Sequence, residues 1–154
     1  MLRRLLLACA IGACLTVAAA WLVGSHVIAT RHYRLAPPAA MTIETVALST
    51  KAGAAVEGWL VPGAGKGAIL LLHGIRGDRQ FMTARAAFLN KEGYSVLMID
   101  LPGHGASPSP AMTFGLREAD AVEAALRWLR NKYPRHRLAV IGSSLGAASF
   151  FGAG

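Results

Sequence analysis

The sequence predicts an α/β chain with a mostly parallel sheet, carried behind one apolar N-terminal segment. Three observations lead to that class. A continuous apolar run at residues 68–72 and the largely apolar stretches at 95–99 and 138–141 have the make-up of strands buried on both faces. Helix-like stretches at residues 79–91 and 116–129 separate them, and strands alternating with helices imply parallel pairing. Between Leu5 and Thr30 the chain carries no formal charge when His26 is neutral.

The chain of 154 residues has room for one ordinary domain and a short appendage. With 54% apolar residues and 16% charged ones, it has the composition of a packed or membrane-attached chain rather than a disordered one. Its mean hydropathy of +0.43 agrees with that. Both cysteines, Cys9 and Cys14, lie in the apolar segment, so the body holds no disulfide framework and no cysteine metal site. Neither a metal nor an organic cofactor is expected.

Taken in order, residues 1–30 form a membrane anchor or signal segment. The 19 residues of the stretch 5–23 would extend about 28 Å as a helix, close to the hydrocarbon thickness of roughly 30 Å. The expectation is an uncleaved single span holding the protein in a lipid membrane, N-terminus in the cytosol and body outside. A signal cut at Ala18-Ala19-Ala20, giving a secreted protein, is one alternative, although Trp21, Leu22 and Val23 continue the apolar run. Lipid attachment at the Ile11-Gly12-Ala13-Cys14 box is the other. Residues 31–41 read as a linker, stiffened by Pro37 and Pro38.

The folded body, residues 42–154, opens with strand-like runs at 42–48 and 56–61 around the turn Thr50-Lys51-Ala52-Gly53, a hairpin pattern. Residues 68–72 follow as a buried strand, 79–91 as a helix and 95–99 as a second buried strand. Leu116, Ala119, Val122, Leu126 and Leu129 recur every three or four residues among charged neighbours, as in an amphipathic helix covering a sheet. Residues 138–141 are expected to form a third buried strand, followed by small residues suited to a tight turn into a helix.

The net charge of +8 does not imply a nucleic-acid partner. Arg3, Arg4, Arg31 and Arg34 flank the apolar segment, which leaves the remainder twelve cations against eight acids. The denser group Arg127, Arg130, Lys132, Arg135 and Arg137 falls at the end of the amphipathic helix, where cations complement the helix dipole.

In an open α/β sheet the reactive groups gather at the carboxyl ends of the strands. Three such ends carry chemistry. Gly142-Ser143-Ser144-Leu145-Gly146 is a Gly-x-Ser-x-Gly element between a strand and a helix, and only Ser144 has glycines two positions away on either side. Those glycines let a sharp turn project the Ser144 hydroxyl as a nucleophile, while the Leu145 amide opens the helix and faces a developing oxyanion. The structural alternative is a serine N-cap. His73-Gly74-Ile75-Arg76-Gly77 follows the strand 68–72, and Ile75 is the candidate second oxyanion donor. His73 reads as structural, packed under that loop, rather than as a base. Asp100, followed by Gly103, His104, Gly105 and Ser107, reads as a carboxylate accepting turn amides. His104 reads as a loop histidine.

Together His73-Gly74, the Asp100 to Ser107 stretch and Gly142-x-Ser144-x-Gly146, in this order and on these elements, resemble an α/β-hydrolase. The resemblance is to its serine aminopeptidase-like or lysophospholipase-like branch, which includes members with an N-terminal anchor and a strand like Gly58-Trp59-Leu60-Val61-Pro62. It implies the α/β-hydrolase fold, here its front half: an N-terminal hairpin, then parallel strands with flanking helices. The function implied is a serine hydrolase acting on a small-molecule ester or related acyl bond. An aminopeptidase and a non-catalytic tethered binding protein are the competing readings. The family's triad runs Ser, acid, His along the chain. All five histidines here, His26, His32, His73, His104 and His136, precede Ser144. The sequence therefore reads as a fragment without the triad acid and base, and residues 1–154 alone are expected to be inactive.

Overall fold

The computed structural model describes residues 1–154. Helix α1 (Leu2–Ile28) contributes no buried residue and meets the body only at its C-terminal end, where the Ile28 carbonyl accepts the Met112 N–H. The hairpin β1 (Glu44–Ser49) and β2 (Ala55–Val61) comes next, then β3 (Ala68–Leu72). A 3-10 turn, Arg79–Met82, leads into α2 (Thr83–Lys91) and β4 (Ser95–Ile99). Helix α3 (Leu116–Lys132), β5 (Leu138–Gly142) and α4 (Leu145–Gly152) complete the chain.

The five strands form one sheet in the order β1-β2-β4-β3-β5. The hairpin pairs antiparallel and joins β4 antiparallel, while β3 pairs parallel with both β4 and β5. The side-chain period of two divides the strands between two cores. Leu70 and Leu72 of β3, Leu97 and Ile99 of β4, and Val46 and Leu48 of β1 meet Ala121, Val122, Ala125 and Leu129 of α3. Ile69, Leu71, Val96 and Met98 point the other way, with Trp59 and Val61, and meet Met82 and Ala86. Since both faces of β3 and β4 are covered, β3 is apolar throughout and β4 is apolar after Ser95, whose hydroxyl accepts the Gly63 N–H at 3.0 Å.

Two local expectations change. Residues 138–141 share that apolar make-up, yet β5 is only partly buried and Ile141 is 42% exposed. It lies at the sheet edge, paired on one side only. The stretch 79–91 is not one helix: Asp78 accepts the Gln80 N–H at 2.7 Å and caps a 3-10 turn before α2 begins. At the start of α3, burial raises the Glu118 pKa, but bonds from the Thr113 hydroxyl and the Thr113 and Gly115 N–H groups outweigh it and hold the carboxyl below its ordinary value.

The segment assigned to the linker is held against the body. The Arg31 N–H donates to the Gly103 carbonyl at 3.0 Å and the Tyr33 N–H to the Gly105 carbonyl at 2.7 Å. Tyr33 also donates its hydroxyl to Asp78 Oδ2 at 2.7 Å. That bond, burial and the nearby carboxylate charge push the Tyr33 pKa up to about 12.

Candidate active site

The parallel strands β3, β4 and β5 end on one side of the sheet, and their loops meet there. Ser144 occupies the turn from β5 into α4 with φ 49° and ψ −112°, a region that costs a non-glycine residue about 1–3 kcal/mol. Its hydroxyl makes no cap bond to α4, so its position at the helix start is not explained by capping. The turn is pinned from below: the Ser143 N–H donates to the Leu72 carbonyl at 3.0 Å and the Gly146 N–H to the Ser143 carbonyl at 2.9 Å. Its glycines are required by contact. A Cβ at Gly146 would stand 2.7 Å from the Leu72 carbonyl oxygen and 2.8 Å from that of His73, and one at Gly142 would stand 2.6 Å from the Ala147 nitrogen.

The loop after β3 runs beside this turn. A Cβ on Gly74 would lie 3.4 Å from the Ser143 carbonyl oxygen and 3.5 Å from the Ser144 Cβ, so the two loops touch. Ile75 is exposed, and its N–H donates to no group in the protein. The Leu145 N–H, first in α4, is likewise unpaired. An exposed serine in a strained turn thus abuts the Gly74 loop, and the amides next in chain to Ser144 and Gly74, those of Leu145 and Ile75, are both unpaired.

His73 and His104 lie beneath, with ring centroids 5.0 Å apart. His73 is fully buried: Nδ1 bonds the Gly74 carbonyl at 2.7 Å and Nε2 accepts the Leu101 N–H at 3.0 Å. An Nε2 that accepts fixes the proton on Nδ1. Burial is the main cause that lowers the His73 pKa to about 4, with only partial opposition from the Gly74 bond. His104 is held in the same way, Nδ1 on the Pro102 carbonyl and Nε2 accepting the Arg76 N–H, both at 3.2 Å. Arg76 has φ 58°, so His104 secures a left-handed residue next to Ile75.

Asp100 is fully buried. Its carboxylate accepts the Arg79 N–H at 2.7 Å, the Ala106 N–H at 2.7 Å and Arg79 Nη1 at 2.9 Å. Burial pushes its pKa above the ordinary carboxylate value, and these donors and the guanidinium work against that shift. Gly105 has φ 50°, and any side chain there would run into this carboxylate. Asp100 therefore organises the loop after β4, and Gly103, with φ 81°, turns it.

Sequence reasoning missed Arg79, Asp78 and Tyr33. Arg79 is 3% exposed and packs 4.6 Å from the Trp59 ring centroid while pairing with Asp100. It reads as an ordinary surface cation in the sequence, and the only signal available was its position six residues after His73. No group of three or more His, Cys, Asp or Glu side chains is arranged to hold a metal ion.

Residues 67–149 match the family model for the alpha/beta hydrolase fold. An uncharacterised protein of Mycobacterium tuberculosis, found in two strains, is 37% identical over 108 residues, or 67% of this chain and 38% of that protein. Among solved structures, the esterase Pf2001 of Pyrococcus furiosus is similar with a TM-score of 0.70 and 26% identity, covering 82% of this chain and 50% of that one. A lidless α/β serine hydrolase of Xanthomonas campestris matches at a TM-score of 0.63 and 19% identity, over 78% of this chain and 58% of that one, a likeness of fold. The chain thus spans well under half of its mycobacterial relatives and half of the Pyrococcus esterase.

Proposed function

The chain belongs to the α/β-hydrolase family, and from that premise we propose that it is a serine hydrolase cleaving carboxylic esters or related acyl bonds, held in a membrane by residues 5–23. The observation that carries this reading is Ser144: an exposed serine in a strained strand-to-helix turn that abuts the Gly74 loop, with the amides of Leu145 and Ile75, next in chain to Ser144 and Gly74, unpaired. The similarity to an esterase at 26–29% identity supports a small-molecule ester as substrate.

In this mechanism Ser144 Oγ attacks the acyl carbon while its proton passes to a base. The Ile75 and Leu145 N–H groups take the charge that develops on the carbonyl oxygen. The alcohol leaves with a proton, and water then hydrolyses the acyl-serine. His73 is unsuited as the base. Both of its ring nitrogens are engaged in structural bonds, and its imidazole resists protonation down to about pH 4. His104 is engaged at both nitrogens as well. His73 and His104 thus serve the loops rather than the proton transfer, and in the family's order the acid and the base follow the nucleophile.

The test uses the full-length protein in its membrane. A fluorophosphonate probe should label it, Ser144→Ala should abolish the label, and Ser143→Ala should retain it. Labelling that survives Ser144→Ala would overturn the assignment. For the anchor, a span of this hydropathy should keep the protein in the pellet after an alkaline carbonate wash, with the body accessible to protease from outside the cell. Release at the mass of a chain cut near Ala20 would favour a signal peptide.

A further inference from the structure

We infer that the edge of the sheet carrying Ser144 is a bilayer-contacting face, laid against the same lipid surface that α1 enters. The inference rests on the reading of α1 as a membrane anchor. Its ground is the way α1 joins the body. The carbonyl of Ile28, the last residue of α1, accepts the Met112 N–H at 3.4 Å. Within the next five residues, Arg31 and Tyr33 bond to the carbonyls of Gly103 and Gly105, and the Tyr33 hydroxyl bonds to Asp78. A span tied this closely to the loops after β3 and β4 leaves no slack for the body to hang away from the membrane, and it fixes which side of the body comes near it.

The surface presented there suits a lipid interface. Ile75, Phe114 and Leu116 are 39%, 54% and 79% exposed. The loops at the opposite edge, residues 62–67, 92–94 and 133–137, show no exposed large apolar side chain. Beside the apolar residues, Arg31, Tyr33 and Arg76 line a cavity of about 60 Å³ together with Gly77, Gly103 and Gly105, and no carboxylate lines it. Neither Arg31 nor Arg76 is in a salt bridge. Apolar tips that enter the acyl boundary and free guanidiniums that meet headgroup phosphates are the two ingredients of interfacial binding.

The experiment places an environment-sensitive dye at single cysteines in the 154-residue protein, in a Cys9→Ala, Cys14→Ala background. The sites are Leu15→Cys in α1, Leu116→Cys at the proposed face and Arg135→Cys at the opposite edge. The protein is reconstituted in phosphatidylcholine–phosphatidylglycerol vesicles with and without nitroxide-bearing lipid. Dyes at positions 15 and 116 should be quenched several-fold more than the dye at 135. Combining Arg31→Gln and Arg76→Gln should lower the lipid-bound population at position 116 by about fivefold per arginine, with position 15 unchanged. Both arginines are exposed, so the fold should tolerate the changes. Quenching at 15 together with solvent-like behaviour at 116 would overturn the inference and leave the anchor intact. A solvent-like dye at 15 would overturn the anchor reading and the inference with it.

Discussion

Protonation of His73 should cost this protein stability as the pH falls below neutrality. The ring is fully buried, with Nδ1–H spent on Gly74 and Nε2 on the Leu101 N–H, so an added proton would have to displace a bond and enter a site shielded from water. Its folded pKa is about 4, against 6.5 for an ordinary histidine. The unfolded chain therefore binds the extra proton first. Stability is complete above the unfolded value and falls as the pH drops from 6.5 towards 4. At 1.36 kcal/mol per pKa unit the full span comes to about 3 kcal/mol, of which about 2 kcal/mol is lost between pH 8 and pH 5. Glu118 has a lowered pKa, so its contribution is lost only as the pH falls below its ordinary value of 4.5. The assay is urea denaturation of the detergent-solubilised chain at pH 8, 6.5 and 5, followed by tryptophan fluorescence in a Trp21→Phe, Trp128→Phe background that leaves the buried Trp59 as reporter. His73→Gln should lower stability at pH 8 but remove most of the loss between pH 8 and 5. Parallel pH profiles in the two proteins, or a His73 resonance titrating near 6.5, would refute the reasoning.

Three further outcomes follow from the same loops, each read as a shift in urea midpoint. Asp100→Asn leaves the buried Arg79 guanidinium without its counter-charge and should cost about 3–5 kcal/mol, with Arg79→Met added to it recovering part of the loss. Gly146→Ala drives a methyl into the Leu72 and His73 carbonyl oxygens and should cost about 1–3 kcal/mol or more, whereas Ala148→Gly on the exposed side of α4 should cost about 1 kcal/mol at most. Ser144→Gly releases strain of about 1–3 kcal/mol and pays about 0.5–1 kcal/mol in unfolded-chain entropy, so it should stabilise the protein, while Ser144→Ala, which keeps φ at 49°, should not.

The parts of this architecture visible in the sequence are those written in neighbouring residues. Ala68–Leu72 and the Val96–Ile99 part of β4 announce themselves because a strand covered on both faces has almost no polar position to spare. The α/β-hydrolase fold itself was legible in three motifs at strand ends. Residues 138–141 look the same as the buried strands but differ in exposure, because burial depends on what pairs with the outer side of β5, and local sequence does not encode that. The contacts that shape the site loops were hidden for a related reason. Tyr33 meets Asp78 across 45 residues of chain and Arg79 meets Asp100 across 21, so neither pair leaves a periodic trace. Burial converts Arg79 from a surface cation into a buried one, and only the fold reveals it.

The strap between α1 and the body also sets an order of events during synthesis. His32 reaches the Ala106 carbonyl across 74 residues, and Tyr33 reaches Asp78 across 45. When α1 first leaves the ribosome, the groups that will hold its trailing end have not been made. The whole of α1 is therefore made while residues 29–35 are still unpartnered. Closing a loop that long carries an entropic cost that grows with the logarithm of its length. The strap is thus among the last contacts to form and, by the same accounting, among the first to open.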